Sequence, residues 1–151
     1  MGRLFAALYD VCMAPLEAFG LRRMRRRLLA GVQGRVLEVG AGTGANLPLY
    51  PGQVQVVATE YDLHMAGRAQ RRAGNAPVLV QLLVADAQAL PFADASFDTA
   101  VGTLVFCTIP EPLLALGEMR RVLRPGGRLL LLEHVRWGNG FGRLQDALAP
   151  L

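Results

Sequence analysis

The segment Glu38-Val39-Gly40-Ala41-Gly42-Thr43-Gly44 carries the clearest chemical signal in this chain. Glycines at this spacing after an apolar run let the backbone turn sharply and approach a ligand with no Cβ between them. Gly40, Gly42 and Ala45 also satisfy the relaxed dinucleotide pattern, so nucleotide binding of some kind is the plain reading. Three carboxylates narrow it. Glu38 precedes the first glycine, where negative charge opposes a pyrophosphate over the turn and suits a cationic ligand. Glu60 ends a second apolar run, the place from which a carboxylate accepts both hydroxyls of a ribose. Asp86 follows a third run and can accept from an exocyclic amine. A nicotinamide oxidoreductase fits these residues poorly, and the chain is short for a second substrate domain.

Other reactive side chains read more plainly. His134 ends a fifth apolar run and is a candidate base near neutral pH. His64 opens a helix and reads as a surface residue, and Asp98 reads as structural. Cys12 and Cys107 form no disulfide framework and are expected to be free thiols that pack. No His or Cys pair has ligand spacing, so no metal is expected.

The elements that must position these residues follow from periodicity. Residues 3–30 carry apolar side chains at helical spacing, punctuated by Pro15 and Gly20, and predict one or two amphipathic helices. Strands are predicted over 36–39, 54–59, 78–85, 97–106 and 128–135. A short helix after the glycines is expected to stop at Pro48 and Pro51, and further helices to cover 63–73 and 111–123. Trp137 is expected to cover the sheet edge, and 144–148 to begin a helix. Continuous apolar strands alternating with helices predict an α/β fold with a doubly wound parallel sheet covered on both faces. Its ligand site lies beyond the carboxyl ends of the strands, where strand order reverses.

Composition bounds the rest. The 151 residues suit one domain, and 52% apolar content excludes a disordered chain. No uncharged apolar run reaches the length of a membrane span, and the N-terminus lacks the order of a signal peptide, so the expected compartment is the cytoplasm. The net charge is +4, and Arg22, Arg23, Arg25, Arg26 and Arg27 concentrate it. That cluster reads first as a solvated helix face and second as a peripheral contact with an anionic membrane. Nucleic acid is not expected, because no RNA-binding motif or interleaved aromatics accompany the arginines.

The motifs together resemble the class I S-adenosylmethionine-dependent methyltransferases of the type 11 family. The likeness runs over 36–46, Glu60, Asp86, Asp94-Ala-Ser-Phe-Asp98 and Leu123-Arg-Pro-Gly-Gly127. Gly44-Ala-Asn-Leu-Pro48, Leu104-Val-Phe-Cys107 and Leu132-Glu-His-Val135 resemble a branch of phospholipid, quinone-type and thiol methyltransferases. The resemblance implies S-adenosyl-L-methionine as cofactor and in-line methyl transfer to a small or lipid-like acceptor: a thiol, amine, hydroxyl or carbon. It places Gly40, Gly42 and Gly44 under the cofactor's amino-acid portion and Glu38 beside its amino group. Glu60 falls at the ribose, Tyr61 beside the adenine, Asp86 at the adenine amine and Ala87 against the ring. Thr103 and Leu104 fall beside the methyl group, and Tyr9-Asp10 on a helix that closes over the cofactor. It implies an N-terminal helical cap over 1–33 and a cofactor-binding domain over 34–151 that lacks the family's usual last two strands. The alternative is an incomplete cofactor-binding module. An open edge at the fifth strand would allow homodimer pairing.

Overall fold

The computed structural model describes residues 3–134. Val135, Trp137 and the helix expected over 144–148 lie outside them. Five strands form one parallel sheet: β1 (Arg35–Val39), β2 (Gln55–Glu60), β3 (Leu79–Val84), β4 (Phe97–Thr103) and β5 (Leu123–Leu132). Their order is β3-β2-β1-β4-β5. The chain moves outward from β1 through β2 to β3, then returns to place β4 on the other side of β1. The order therefore reverses between β1 and β4, and parallel sheets of this kind bind ligands beyond the carboxyl ends at such a point. The central strands β1 and β4 are buried almost end to end, whereas the flanking strand β3 alternates. That difference explains their continuous apolar runs.

Helices α1 (Arg3–Leu16), α2 (Arg22–Leu29) and α3 (Leu63–Ala73) precede β3, and α4 (Pro112–Val122) precedes β5. Leu29, Val36, Leu47, Val56, Ala69 and Val101 form the core on one sheet face. Leu37, Val39, Phe97, Ala100, Met119 and Val122 form it on the other. Asp62 caps α3 by accepting from the amides of His64 and Met65. This cap fixes the helix start at Leu63, close behind Glu60.

Several boundaries differ from expectation. β4 ends at Thr103 rather than Phe106, because Leu104 takes a left-handed φ of 53°. β5 begins at Leu123 rather than Arg128; a register shift opposite Phe97 and Thr99 accommodates Arg124 to Gly127 as an irregularity. Pro48 does not stop the short helix after the glycines. It sits inside a 3-10 turn, Leu47–Leu49, in the first-turn position where proline costs no hydrogen bond. A five-residue π segment, Glu17–Leu21, joins α1 to α2, with Gly20 at φ 134° making the kink.

The joined stretch Leu4–Leu29 is long and apolar enough to cross a membrane by length and composition alone. Counting uninterrupted apolar residues missed it, because Asp10 and Glu17 break the run. Cys12 and Cys107 are both exposed, not packed. Cys107 follows the left-handed turn at Leu104, which carries it off the sheet.

Candidate functional site

The glycine turn sits at the carboxyl end of β1. Gly40, Gly42 and Gly44 have φ of 66°, 59° and 84°. A Cβ on Gly40 would lie 2.1 Å from Val105 Cγ2, and one on Gly44 would lie 3.0 Å from Ala69 Cα. A Cβ on Gly42 would meet nothing within 4 Å. The protein's own packing thus requires the first and third glycines, and the second presents bare backbone to open space. Glu60 is aimed at the same turn. It accepts from the amide of Gly42 at 2.7 Å and from that of Asp62 at 2.9 Å. Two amides fix the carboxylate, and its other lone pairs can still accept.

Beneath the turn lies a buried polar network. Glu38 is 1% exposed. One carboxylate oxygen accepts from Asn46 Nδ2 at 2.9 Å, the other from the Tyr50 hydroxyl at 2.9 Å. Burial pushes Glu38 up to about 7, opposed by the bonds from Tyr50 and Asn46 and by the charge of Arg25. Tyr50 is raised by its own burial and by Glu38. Asn46 Oδ1 accepts from Arg25 at 3.1 Å, and Thr103 Oγ1 accepts from Arg25 at 2.7 Å and from Asn46 at 3.0 Å. Arg25 Nε also bonds Glu17 at 2.9 Å. Glu38 therefore supports the turn from below and does not face open space.

The N-terminal helices close one side. Asp10 accepts from Thr43 Oγ1 at 2.6 Å and pairs with Arg72 at 2.9 Å and Arg68 at 3.3 Å. Burial raises Asp10, but Thr43 and the two arginines outweigh it and hold the carboxyl below its ordinary value. Tyr9 stands beside Arg25, and burial raises its hydroxyl. A cavity of about 360 Å³ lies between these helices and the glycine turn, walled by Tyr9, Met13, Ala18, Arg25, Thr43 and Ala45.

The other expected residues follow the carboxyl ends of their strands. Asp86 is half-buried and accepts from the Gln88 amide at 2.8 Å and its side chain at 3.1 Å. Ala87 packs against the core. Tyr61 is 74% exposed, free to lie against a ring. Leu104 is half-buried in its left-handed turn, which Glu133 pins by accepting from the Val105 amide at 2.9 Å. His134 is exposed past the end of β5. Asp98 lies at the opposite end of β4, bonding the Arg35 amide and Arg124. Among the described residues no three His, Cys, Asp or Glu side chains gather as a metal site.

Sequence reasoning missed the inward role of Arg25. It grouped this residue with four neighbours as a surface cluster, yet Arg25 is 5% exposed while Arg22, Arg23, Arg26 and Arg27 are exposed. The signal was present: Leu21, Arg25 and Leu29 repeat every four residues along one helix line. Asn46, Tyr50 and Thr43 were likewise given no role. The arrangement offers fixed acceptors for hydroxyls, amines and positive charge, together with a bare peptide surface. A cofactor carrying a nucleoside and a cationic amino-acid end fits it.

Comparison with known proteins gives a consistent picture. The profile of the family described as "Methyltransferase domain" matches residues 37–131. The chain is 39% identical over 150 residues to a phosphatidylethanolamine N-methyltransferase of Cereibacter sphaeroides, covering 95% of this chain and 71% of that one. It is 38% identical over 133 residues to a demethylmenaquinone methyltransferase of Renibacterium salmoninarum, covering 85% of this chain and 54% of that one. A solved Thermotoga maritima structure, described as a SAM-dependent methyltransferase and possible histamine N-methyltransferase, superposes with a TM-score of 0.76 at 27% identity. It covers 96% of this chain and 65% of its own.

Proposed function

The chain belongs to the methyltransferase domain family, and from that premise we propose that it moves a methyl group from S-adenosylmethionine to a lipid-like acceptor at a membrane surface. When bound, the cofactor supplies a methyl group on a sulfonium, open to in-line displacement by an acceptor atom. The chain's own residues bind and align. The peptide at Gly42 gives close approach, Glu60 accepts the ribose hydroxyls, and Asp86 accepts the adenine amine with Tyr61 and Ala87 beside the ring. Thr103 and Leu104 border the methyl-bearing end, and the helix carrying Tyr9 and Asp10 excludes water. Glu38 adds negative potential under the cationic end. His134 is our proposed base for acceptors that must lose a proton.

One observation carries the lipid reading. Leu4, Leu8 and Val11 follow one another at helical spacing on α1 and are all exposed, and Phe19 is 90% exposed beyond them. Four exposed arginines follow at once on α2. An apolar strip beside guanidinium groups matches an anionic bilayer interface. The same stretch sends Asp10 and Arg25 inward to the site, so it favours lying on a membrane rather than crossing one. Both relatives described above are named for lipid or quinone substrates, which supports this class.

The test is methyl transfer from labelled cofactor into phosphatidylethanolamine or a demethylated quinone, held in anionic vesicles or in neutral ones. Transfer favoured by anionic vesicles at low salt is expected. Transfer confined to water-soluble thiols would overturn the lipid reading. Cofactor binding with no transfer to any acceptor would favour the incomplete binding module.

A further inference from the structure

We propose that Arg25 is a positioning residue of the cofactor site, clamping Asn46 and Thr103 in the one orientation that lets Asn46 donate to Glu38. The clamp joins three separate pieces of chain. Arg25 comes from α2, Asn46 from the turn after β1, and Thr103 from the end of β4. Its guanidinium bonds Asn46 and Thr103 at 3.1 and 2.7 Å and Glu17 at 2.9 Å. It therefore bridges the two strands between which strand order reverses. A cation on one side of Asn46 and a carboxylate on the other dictate the amide's direction: oxygen to the guanidinium, nitrogen to Glu38. A lysine would supply the charge without the planar fork that reaches two acceptors.

The charge balance around Glu38 makes this role measurable. Tyr50 and Asn46 bond it, Arg25 lies one amide away, and Glu60 on β2 opposes its ionisation. Burial dominates, so Arg25 is the cation favouring the charged form. Without it, Glu38 holds its proton to higher pH. A protonated Glu38 still accepts from Asn46 Nδ2 through its carbonyl oxygen, but its new O–H faces the Tyr50 hydroxyl, which must turn from donor to acceptor. The turn then loses the negative charge beneath it, and Asn46 and Thr103 lose the guanidinium that braced them. This role rests on the cofactor reading above, but its first readout does not need the cofactor.

The Glu38 side-chain carboxyl carbon would be followed by NMR from about pH 5 to 9 in the unliganded chain. The native protein would be compared with R25Q, which keeps a donor and loses the charge, and with R25K. In R25Q the Glu38 midpoint is expected to rise by about one pH unit or more, and R25K should return most of it. Calorimetry with S-adenosylhomocysteine should show about tenfold weaker binding by R25Q near neutral pH. That loss should shrink above the new midpoint. An unchanged midpoint, or an affinity loss equal at every pH, would overturn the clamp. A shifted midpoint in a chain that binds no S-adenosylhomocysteine would instead refute the cofactor reading and leave the clamp standing. If R25Q does not fold, R25K against native still decides: a midpoint near native with weaker S-adenosylhomocysteine binding is expected, and a clearly raised midpoint or native-tight binding in R25K contradicts the role.

Discussion

Replacing Gly42 and Gly44 separately by alanine divides what the turn does for the fold from what it does for a ligand. Both residues have left-handed backbone, at φ 59° and 84°. That conformation costs a residue with a Cβ roughly 1–2 kcal/mol. For Gly42→Ala this is the whole stability cost, because the added methyl meets nothing within 4 Å. In a chain of this size each kcal/mol moves Tm by about 2–4 °C, so a drop of about 2–8 °C is expected. For Gly44→Ala the methyl also lies 3.0 Å from Ala69 Cα and 2.9 Å from Leu47 Cδ1. Ala69 Cα is helix backbone in α3 and cannot rotate away, so overpacking adds roughly 1–3 kcal/mol. Thermal unfolding and S-adenosylhomocysteine titration of both variants give the assay. Gly42→Ala should stay folded and bind at least about tenfold more weakly, since its methyl occupies the approach to the peptide. Gly44→Ala should lose most of its margin of stability. Native affinity in a folded Gly42→Ala chain would refute the assignment of the turn.

Other outcomes follow from the same geometry. Glu38 is pushed up to about 7 in the fold from an ordinary 4.5, so the folded chain keeps a proton that the unfolded chain has released between those values. Stability from this group is full below the lower value and is lost as pH rises through the upper one, by on the order of 3 kcal/mol. Denaturant titrations at stepped pH should show that decline in the native chain and a flatter profile in Glu38→Gln; identical profiles would exclude Glu38 as its source. Asp98→Ala removes acceptors for the Arg35 amide and Arg124 at the end of β4 away from the site. It should cost about 1–3 kcal/mol in denaturant unfolding while leaving S-adenosylhomocysteine affinity unchanged. Asp10→Asn weakens the pairs with Arg68 and Arg72 that hold α1 on the turn. It should speed proteolysis within α1 and α2 before the sheet is cut, as seen by mass spectrometry of fragments.

The sheet was legible because its signals are local. Buried parallel strands read as unbroken apolar runs, and the end of α3 at Ala73 was marked by Gly74. The glycine turn and the carboxylates beside it were legible because glycine and carboxylate positions are tied to strand ends. What stayed hidden depends on contacts between distant segments. The end of β4 is set by Glu133, 28 residues on from Val105. The Leu123 start of β5 depends on a bulge that only its partner strand defines. Arg25 was hidden by its company: five arginines in six positions suggest a charged surface, and only Thr103, 78 residues away, shows that one of them is structural. The exposed cysteines were misread for the converse reason, since an apolar neighbourhood in sequence says little about which helix face reaches solvent.

The most direct measurement is calorimetric titration of the native chain with S-adenosylhomocysteine, beside Glu60→Ala and Asp86→Ala. One-site binding in the micromolar range, roughly −8 kcal/mol, is predicted for the native chain, with clear weakening in both variants. A folded native chain that gives no heat of binding, or variants that bind as tightly as native, would contradict the assigned site.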